Sequence, residues 1–314
     1  MTVAIKAHEK WLSQRIDTMR FGVLAVGDPG SSNRDTPSSM TASSPVHFIS
    51  GLPRAGSTLL AALLSQNPKV LAHGRISPVA PMIIRLSGLM AEGEYASDFS
   101  GEQRERLLQG ILEDYYHPEP DQIVLDTSRE WCTRLALIDR LYPRARVICC
   151  VRNPVWILDS LERLIVRDPI LSSRLVPITQ RSTQHDRLDH LLSREGVFGY
   201  AWRVLTEAFH GPFADKLILV DYQTLATNPR QTLERLTRCL GLPAYPYDLN
   251  NVANRDAEVF DSLLGTPDLH RIRPVVSHER RRCILPPDVI ARMQGGMFWR
   301  EATIHLQSKA QIIV

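Results

Sequence analysis

The chain is poor in the features that announce a metal site, a disulfide framework or a membrane span. Of its 314 residues five are cysteines, Cys132, Cys149, Cys150, Cys239 and Cys283, and none form a Cys-x-x-Cys pair. An odd, unpatterned set of this kind argues against a zinc site and a disulfide scaffold, and it fits a reducing cytoplasm. No apolar run approaches the roughly 18 residues of a membrane span, and the N-terminus has no apolar core of a secretory leader. Charge of one sign is also lacking: 37 basic against 34 acidic residues leave a formal +3, too little for a general nucleic-acid binder. What is present is a globular composition, 44% hydrophobic and 23% charged, long enough for one large α/β domain. Oligomeric state is not readable from it.

Residues 1–26 carry a candidate short helix around Trp11 to Met19, and Gly27–Pro45 is rich in Gly, Pro, Ser and Thr. That stretch has almost nothing to bury, so residues 1–45 are expected to be an N-terminal segment with a flexible linker and residues 46–314 the folded domain. From Val46 on, apolar strands alternate with helices. Strands are expected at Val46–Ser50, Gln122–Asp126, Arg146–Val151 and Lys216–Tyr222. Helices are expected at Thr58–Gln66, from Pro154 through Leu164, and from Asn228-Pro229 to Gly241. This order predicts an α/β fold: a P-loop-like parallel sheet with helices on both faces. In such a sheet, ligands sit at the carboxyl ends of the strands.

Two motifs fall at those ends. Ser50-Gly51-Leu52-Pro53-Arg54-Ala55-Gly56-Ser57-Thr58 leaves the first strand and enters a helix. Gly51 and Gly56 have the spacing of a phosphate loop, whose backbone N–H groups and helix N-terminus hold an anion. The lysine such a loop needs for a triphosphate is missing; Ser57 stands in its place. The cation has moved into the loop as Arg54, a planar fork suited to a terminal oxyanion, with Ser57 and Thr58 adding hydroxyls. The second motif is Arg152, just past a buried strand, followed by Pro154 and, eight residues after the arginine, by Ser160 in the next helix. An arginine at a strand end and a serine on the adjoining helix can converge on one phosphate.

On these residues the chain resembles the sulfotransferases that use 3′-phosphoadenosine 5′-phosphosulfate (PAPS). The Leu-Pro-Arg-x-Gly-Ser-Thr form is closer to the bacterial and tyrosylprotein enzymes than to the cytosolic small-molecule group. The resemblance implies that Pro53, Arg54, Ala55, Gly56, Ser57 and Thr58 hold the 5′-phosphosulfate and that Arg152 and Ser160 hold the 3′-phosphate. It further implies nucleotide contacts from Tyr222 and from Arg271 and Arg273 in the basic C-terminal stretch. The run Arg280-Arg281-Arg282 resembles that stretch only loosely, and runs of this kind more often form a solvated face. The implied activity is transfer of a sulfuryl group from PAPS to an acceptor hydroxyl, a peptide or protein tyrosine on the loop's form, leaving PAP (3′-phosphoadenosine 5′-phosphate). No metal is required if Arg54 and the loop supply the positive charge.

The general base is where the resemblance breaks. The glutamate of the tyrosylprotein enzymes falls on Arg75 here, leaving His73 as the nearest proton acceptor. The lysine near the bridging oxygen is replaced by Thr127, with Arg129 two residues on, and Asp126 orients one of these groups or is itself the base. Residues 167–199 fit no clean strand–helix pattern. Their Arg174, Arg181, Arg187 and Arg194 suit an acidic acceptor or form a solvated face. On residues alone, a P-loop kinase and a non-catalytic nucleotide-binding protein stay open as alternatives.

Overall fold

The wholly apolar stretches of the sequence become the centre of a six-stranded, all-parallel sheet. The computed structural model describes residues 45–167, 175–253, 261, 263, 269–277, 281–301, 303 and 308–314. The helix expected near the N-terminus, the linker up to residue 44, Arg174 and Arg280 lie outside the described residues.

In chain order the elements are β1 (Val46–Gly51), α1 (Ser57–Leu64), β2 (Val70–Leu71), α2 (Val79–Ala91), α3 (Gly101–Tyr116), β3 (Ile123–Thr127), α4 (Leu135–Leu141), β4 (Val147–Val151) and α5 (Pro154–Arg167). There follow α6 (Gln184–Leu192), α7 (Val197–His210), β5 (Leu217–Asp221), α8 (Tyr222–Thr227), α9 (Pro229–Leu240), α10 (Pro287–Met293) and β6 (Gln311–Ile313). The strand order is β2-β3-β1-β4-β5-β6. The chain therefore builds one way from β1 and then crosses to its other side, and the crevice at such a reversal is where α/β sheets bind ligands.

β1, β4 and β5 are buried at every residue, because helices cover both faces; hence they read as continuous apolar runs rather than alternating ones. α1 buries Leu60, Ala61, Ala62, Leu63 and Leu64 against the sheet. Each such leucine is worth about 1.5–3 kcal/mol, so the loop between β1 and α1 is strung between two firmly anchored ends. Beneath β1, the Phe48 ring packs 4.5 Å from that of Trp131.

The edge strands β2 and β6, of two and three residues, carry too few positions to show a period. Residues 184–192 form a regular helix where the sequence suggested irregular chain. The signals are a capping box, with Thr183 accepting from the Asp186 N–H and Asp186 from that of Thr183, and the buried pair Leu188 and Leu191. α9 starts with Pro229 and ends on Gly241 at φ 67°, as expected, but Asn228 caps it without its side chain. The short α8 in front of it, capped by Asp221, was not anticipated.

Candidate active site

Four strand ends open on one cleft of about 260 Å³: Gly51 of β1, Thr127 of β3, Arg152 after β4 and Tyr222 after β5 all line it. The loop after β1 is held in a conformation few sequences tolerate. Gly51, Arg54 and Gly56 take φ values of 101°, 55° and 91°, in the left-handed region that favours glycine. A Cβ on Gly51 would lie 2.4 Å from the Cys150 carbonyl oxygen, and one on Gly56 would lie 2.7 Å from the Tyr222 ring. The first glycine is thus demanded by the neighbouring strand and the second by an aromatic side chain. Gly56 caps α1 without a side chain, which leaves the first N–H groups of the helix open to an anion.

The two motifs the sequence presents separately are joined in space. Arg54 Nε donates to Ser160 Oγ at 3.1 Å, and its Nη1 donates to the Leu269 carbonyl. Arg152 Nη1 donates to the Arg54 carbonyl at 3.1 Å. The Arg152 guanidinium lies over the Tyr222 ring, 4.3 Å from its centroid. Tyr222 therefore supports the loop glycine with one part of its ring and the arginine with its face.

Seven arginines line the cleft, namely Arg54, Arg75, Arg129, Arg152, Arg271, Arg273 and Arg281, and no carboxylate does among the described residues. Burial, aided by the charge of Arg152, pushes Arg54 down to about 10. Burial lowers Arg152 and Arg129 as well. A desolvated cationic wall of this kind is costly on its own and is relieved by an anion of several charges.

The C-terminal stretch is pinned over the cleft by buried acids. Asp159, next to Ser160 on α5, pairs with Arg281 at 2.5 Å and accepts from the Ile284 N–H at 2.9 Å. Asp261 accepts from the His270 N–H at 2.7 Å and contacts its Nδ1 at 2.5 Å. Arg271 and Arg273 line the cleft beside Arg281. Sequence reasoning passed over Arg281 as surface charge; its partner Asp159 lies over a hundred residues away, and no local pattern reports that.

The residues read as catalytic divide. Arg54 and Arg129 line the cleft; His73 and Asp126 do not. Asp126 is fully buried, with one carboxylate oxygen accepting from Tyr116 Oη at 2.7 Å and the other from Trp131 Nε1 at 2.6 Å. Its burial raises its pKa, yet both oxygens are committed inside the core, so it cannot reach an acceptor hydroxyl. His73 stacks on the Tyr116 ring at 5.2 Å, in the layer behind the wall formed by Gly74, Arg75 and Ile76. Ala55 is 1% exposed and supports the loop from beneath. Pro53, Gly56, Ser57, Thr58, Ser160 and Tyr222 all line the cleft. Two groups on the wall await a partner. Thr127 Oγ1 is buried without a hydrogen bond, and no described residue supplies an acceptor to the Arg129 guanidinium.

A glycine-strained loop at a helix N-terminus, facing an arginine and a helix serine at a parallel sheet's crossover, is a phosphate-loop arrangement built to receive an anion. The sequence matches the model of the sulfotransferase family over residues 45–246, and the chain belongs to that family. It is a sulfotransferase. Solved structures similar to it include mouse sulfotransferase SULT7A1 complexed with PAP, at 14% identity, covering 85% of this chain and 89% of that one with a TM-score of 0.45. A sulfotransferase from Alicyclobacillus acidocaldarius matches at 16% identity, 71% and 92% coverage and a TM-score of 0.44. The sulfotransferase domain from the curacin biosynthetic pathway matches at 17% identity, 67% and 78% coverage and a TM-score of 0.44. At these scores the structural likeness adds nothing to the family match. No curated relative matches the chain.

Proposed function

We propose that the protein uses PAPS as its donor and transfers the sulfuryl group to a phenolic hydroxyl. The observation that carries this reading is the cleft wall: seven arginines and no carboxylate among the described residues, set around a loop whose glycines cannot be replaced. A donor with a 3′-phosphate and a 5′-phosphosulfate matches the positive charge of this wall. The orphaned Thr127 hydroxyl and the unpartnered Arg129 support the fit.

In this reading the α1 N–H groups, Ser57 and Thr58 hold the 5′ end, and Arg152, Ser160 and Arg281 hold the 3′-phosphate. Arg54 lies between them and serves both. Its hydrogen bond to Ser160 gives way or is shared when the donor enters. The bound donor supplies an activated sulfuryl group on a phosphate leaving group. Arg54, Arg129 and Thr127 would meet the charge that grows on the bridging oxygen.

A tyrosine-type phenol is the acceptor that the form of the loop favours. Two of the arginines that suit an acidic flank on the acceptor are engaged elsewhere. Arg187 is clamped on the buried Glu162 at 2.5 Å, and Arg181 donates to the Val176 carbonyl. The kinase alternative is not favoured: the family match opposes it, and Ser57 occupies the position of the lysine it requires. We take residues 46–314 as the catalytic domain and residues 1–45 as dispensable for donor binding. Among the described residues no helix is long and apolar enough to cross a membrane, and the cysteine pattern supports the cytoplasm.

Incubating the protein with PAPS and a phenol and following PAP and aryl sulfate together tests the function. Stoichiometric appearance of both is expected. A protein that binds PAP and sulfates a non-phenolic hydroxyl but no phenol would overturn the phenolic acceptor, and one that binds PAP and sulfates no hydroxyl at all would be the non-catalytic alternative.

A further inference from the structure

A second cavity, of about 420 Å³, adjoins the donor cleft and shares with it Ile76, Ser128 and Arg129. Arg129 is the hinge between them: half-buried, unpartnered among the described residues, and on the wall of both. The rest of this cavity's wall has the opposite character. Glu130 sits on the short turn Arg129–Thr133 that follows β3. His190 comes from α6, Glu195 from the loop after it, and Tyr200 from α7. Leu175, Pro177 and Val197 supply apolar wall. Neither Glu130 nor Glu195 has a cationic partner among the described residues, in contrast to Glu162 close by.

We infer that this cavity is the acceptor subsite, and that it takes a phenol carrying an amine, with Glu195 facing the amine and Glu130 receiving the phenolic proton. This rests on the donor reading above and adds the acceptor's charge class to it. The apolar wall and the Tyr200 ring match an aromatic body. Two carboxylates against the single arginine Arg129 on this wall favour a cation and disfavour a phenol flanked by acids. The Tyr200 hydroxyl, raised by burial and then by Glu130, places the Glu130 carboxylate within electrostatic reach of the same space. Glu130 also stands one residue from Arg129, at the boundary with the donor cleft, as a base for the acceptor must. Glu130 takes the proton as the phenolic oxygen bonds to sulfur and the bond from sulfur to the bridging oxygen breaks. That electron pair stays on the 5′-phosphate of PAP.

The test titrates the PAP-saturated protein by calorimetry with three phenols matched in size: tyramine, 4-ethylphenol and 4-hydroxyphenylacetate. Tyramine is expected to bind at least about tenfold more tightly than 4-hydroxyphenylacetate, with 4-ethylphenol between. Glu195→Gln, at an exposed position, is expected to cut that preference to under about threefold and to leave PAP affinity unchanged. Glu130→Gln is expected to keep PAP and tyramine affinity within about threefold and to lower kcat about a hundredfold or more. Equal or tighter binding of the anionic phenol, binding of none of the three to a protein that binds PAP, or a preference untouched by Glu195→Gln would overturn the inference. Failure to bind PAP at all would instead bring down the donor reading, and this inference with it.

Discussion

The two cavities that meet at Arg129 are built in opposite ways. The donor cleft is made of backbone first: two glycines in left-handed conformations, a helix N-terminus and four strand ends. Its charged side chains are arginines. The cavity across Arg129 is made of side chains from five separate stretches, with carboxylates, a histidine and an aromatic among them. The first offers an anion-binding geometry that is set by the sheet. The second can change its clientele with one substitution and leave the fold alone. A donor site under strict backbone control and an acceptor site under loose side-chain control is an arrangement that keeps one chemistry while varying the substrate.

The sharpest way to break the comparison is at the backbone. Gly51→Ala puts a Cβ against the Cys150 carbonyl at 2.4 Å and holds alanine at φ 101°. The strain and overpacking together are expected to cost about 3–5 kcal/mol, read as a large fall in Tm and loss of PAP binding. An alanine variant with wild-type melting and affinity would show that the loop is not under backbone control.

Next in size is Arg54→Ala. Loss of a charge-assisted contact is expected to weaken PAP by about 1.5–3 kcal/mol, roughly ten- to a hundredfold. Ser160→Ala should act in the same direction and more mildly. Because Arg54 and Ser160 are hydrogen-bonded at 3.1 Å, the double variant should cost less than the sum of the singles. Additive losses in the four-protein cycle would mean that the two motifs work independently.

The smallest effect at neutral pH separates the fold from both cavities. His47, on β1 below the loop, accepts the Arg146 N–H on its Nδ1 at 3.0 Å, and burial lowers it to about 4 from 6.5. Between those pH values the unfolded chain binds a proton that the folded chain refuses. Stability is therefore complete above about pH 6.5 and falls as pH drops towards 4, by about 3 kcal/mol. His47→Asn should flatten that slope in a series of melting curves while leaving PAP affinity at neutral pH unchanged.

What was legible in the sequence follows the same division. The four main strands and the loop could be read because each depends on contiguous residues: apolar runs, two glycines at fixed spacing, a proline in the first turn of α5. Arg152 and Ser160 were readable because a strand end and the next helix turn lie together in sequence and space. Asp126 was misjudged because a carboxylate at a strand end looks the same whether it faces a cleft or, as here, Tyr116 and Trp131. Arg281 was passed over because Asp159, which makes it part of the site, is remote in the chain. The Glu130 and Glu195 pairing was invisible for the same reason. Only the packing of α6 and α7 beside the turn after β3 brings these residues to one cavity.

The central claim is that this arginine-lined cleft reads a 3′-phosphate as well as a 5′ one. Titrating PAP and adenosine 5′-monophosphate into the wild-type protein and into Arg152→Ala tests it most directly. The wild type should bind PAP at least about tenfold more tightly than the monophosphate. Arg152→Ala should remove most of that difference by weakening PAP alone. Equal weakening of both ligands, or no preference for PAP in the wild type, would contradict the account.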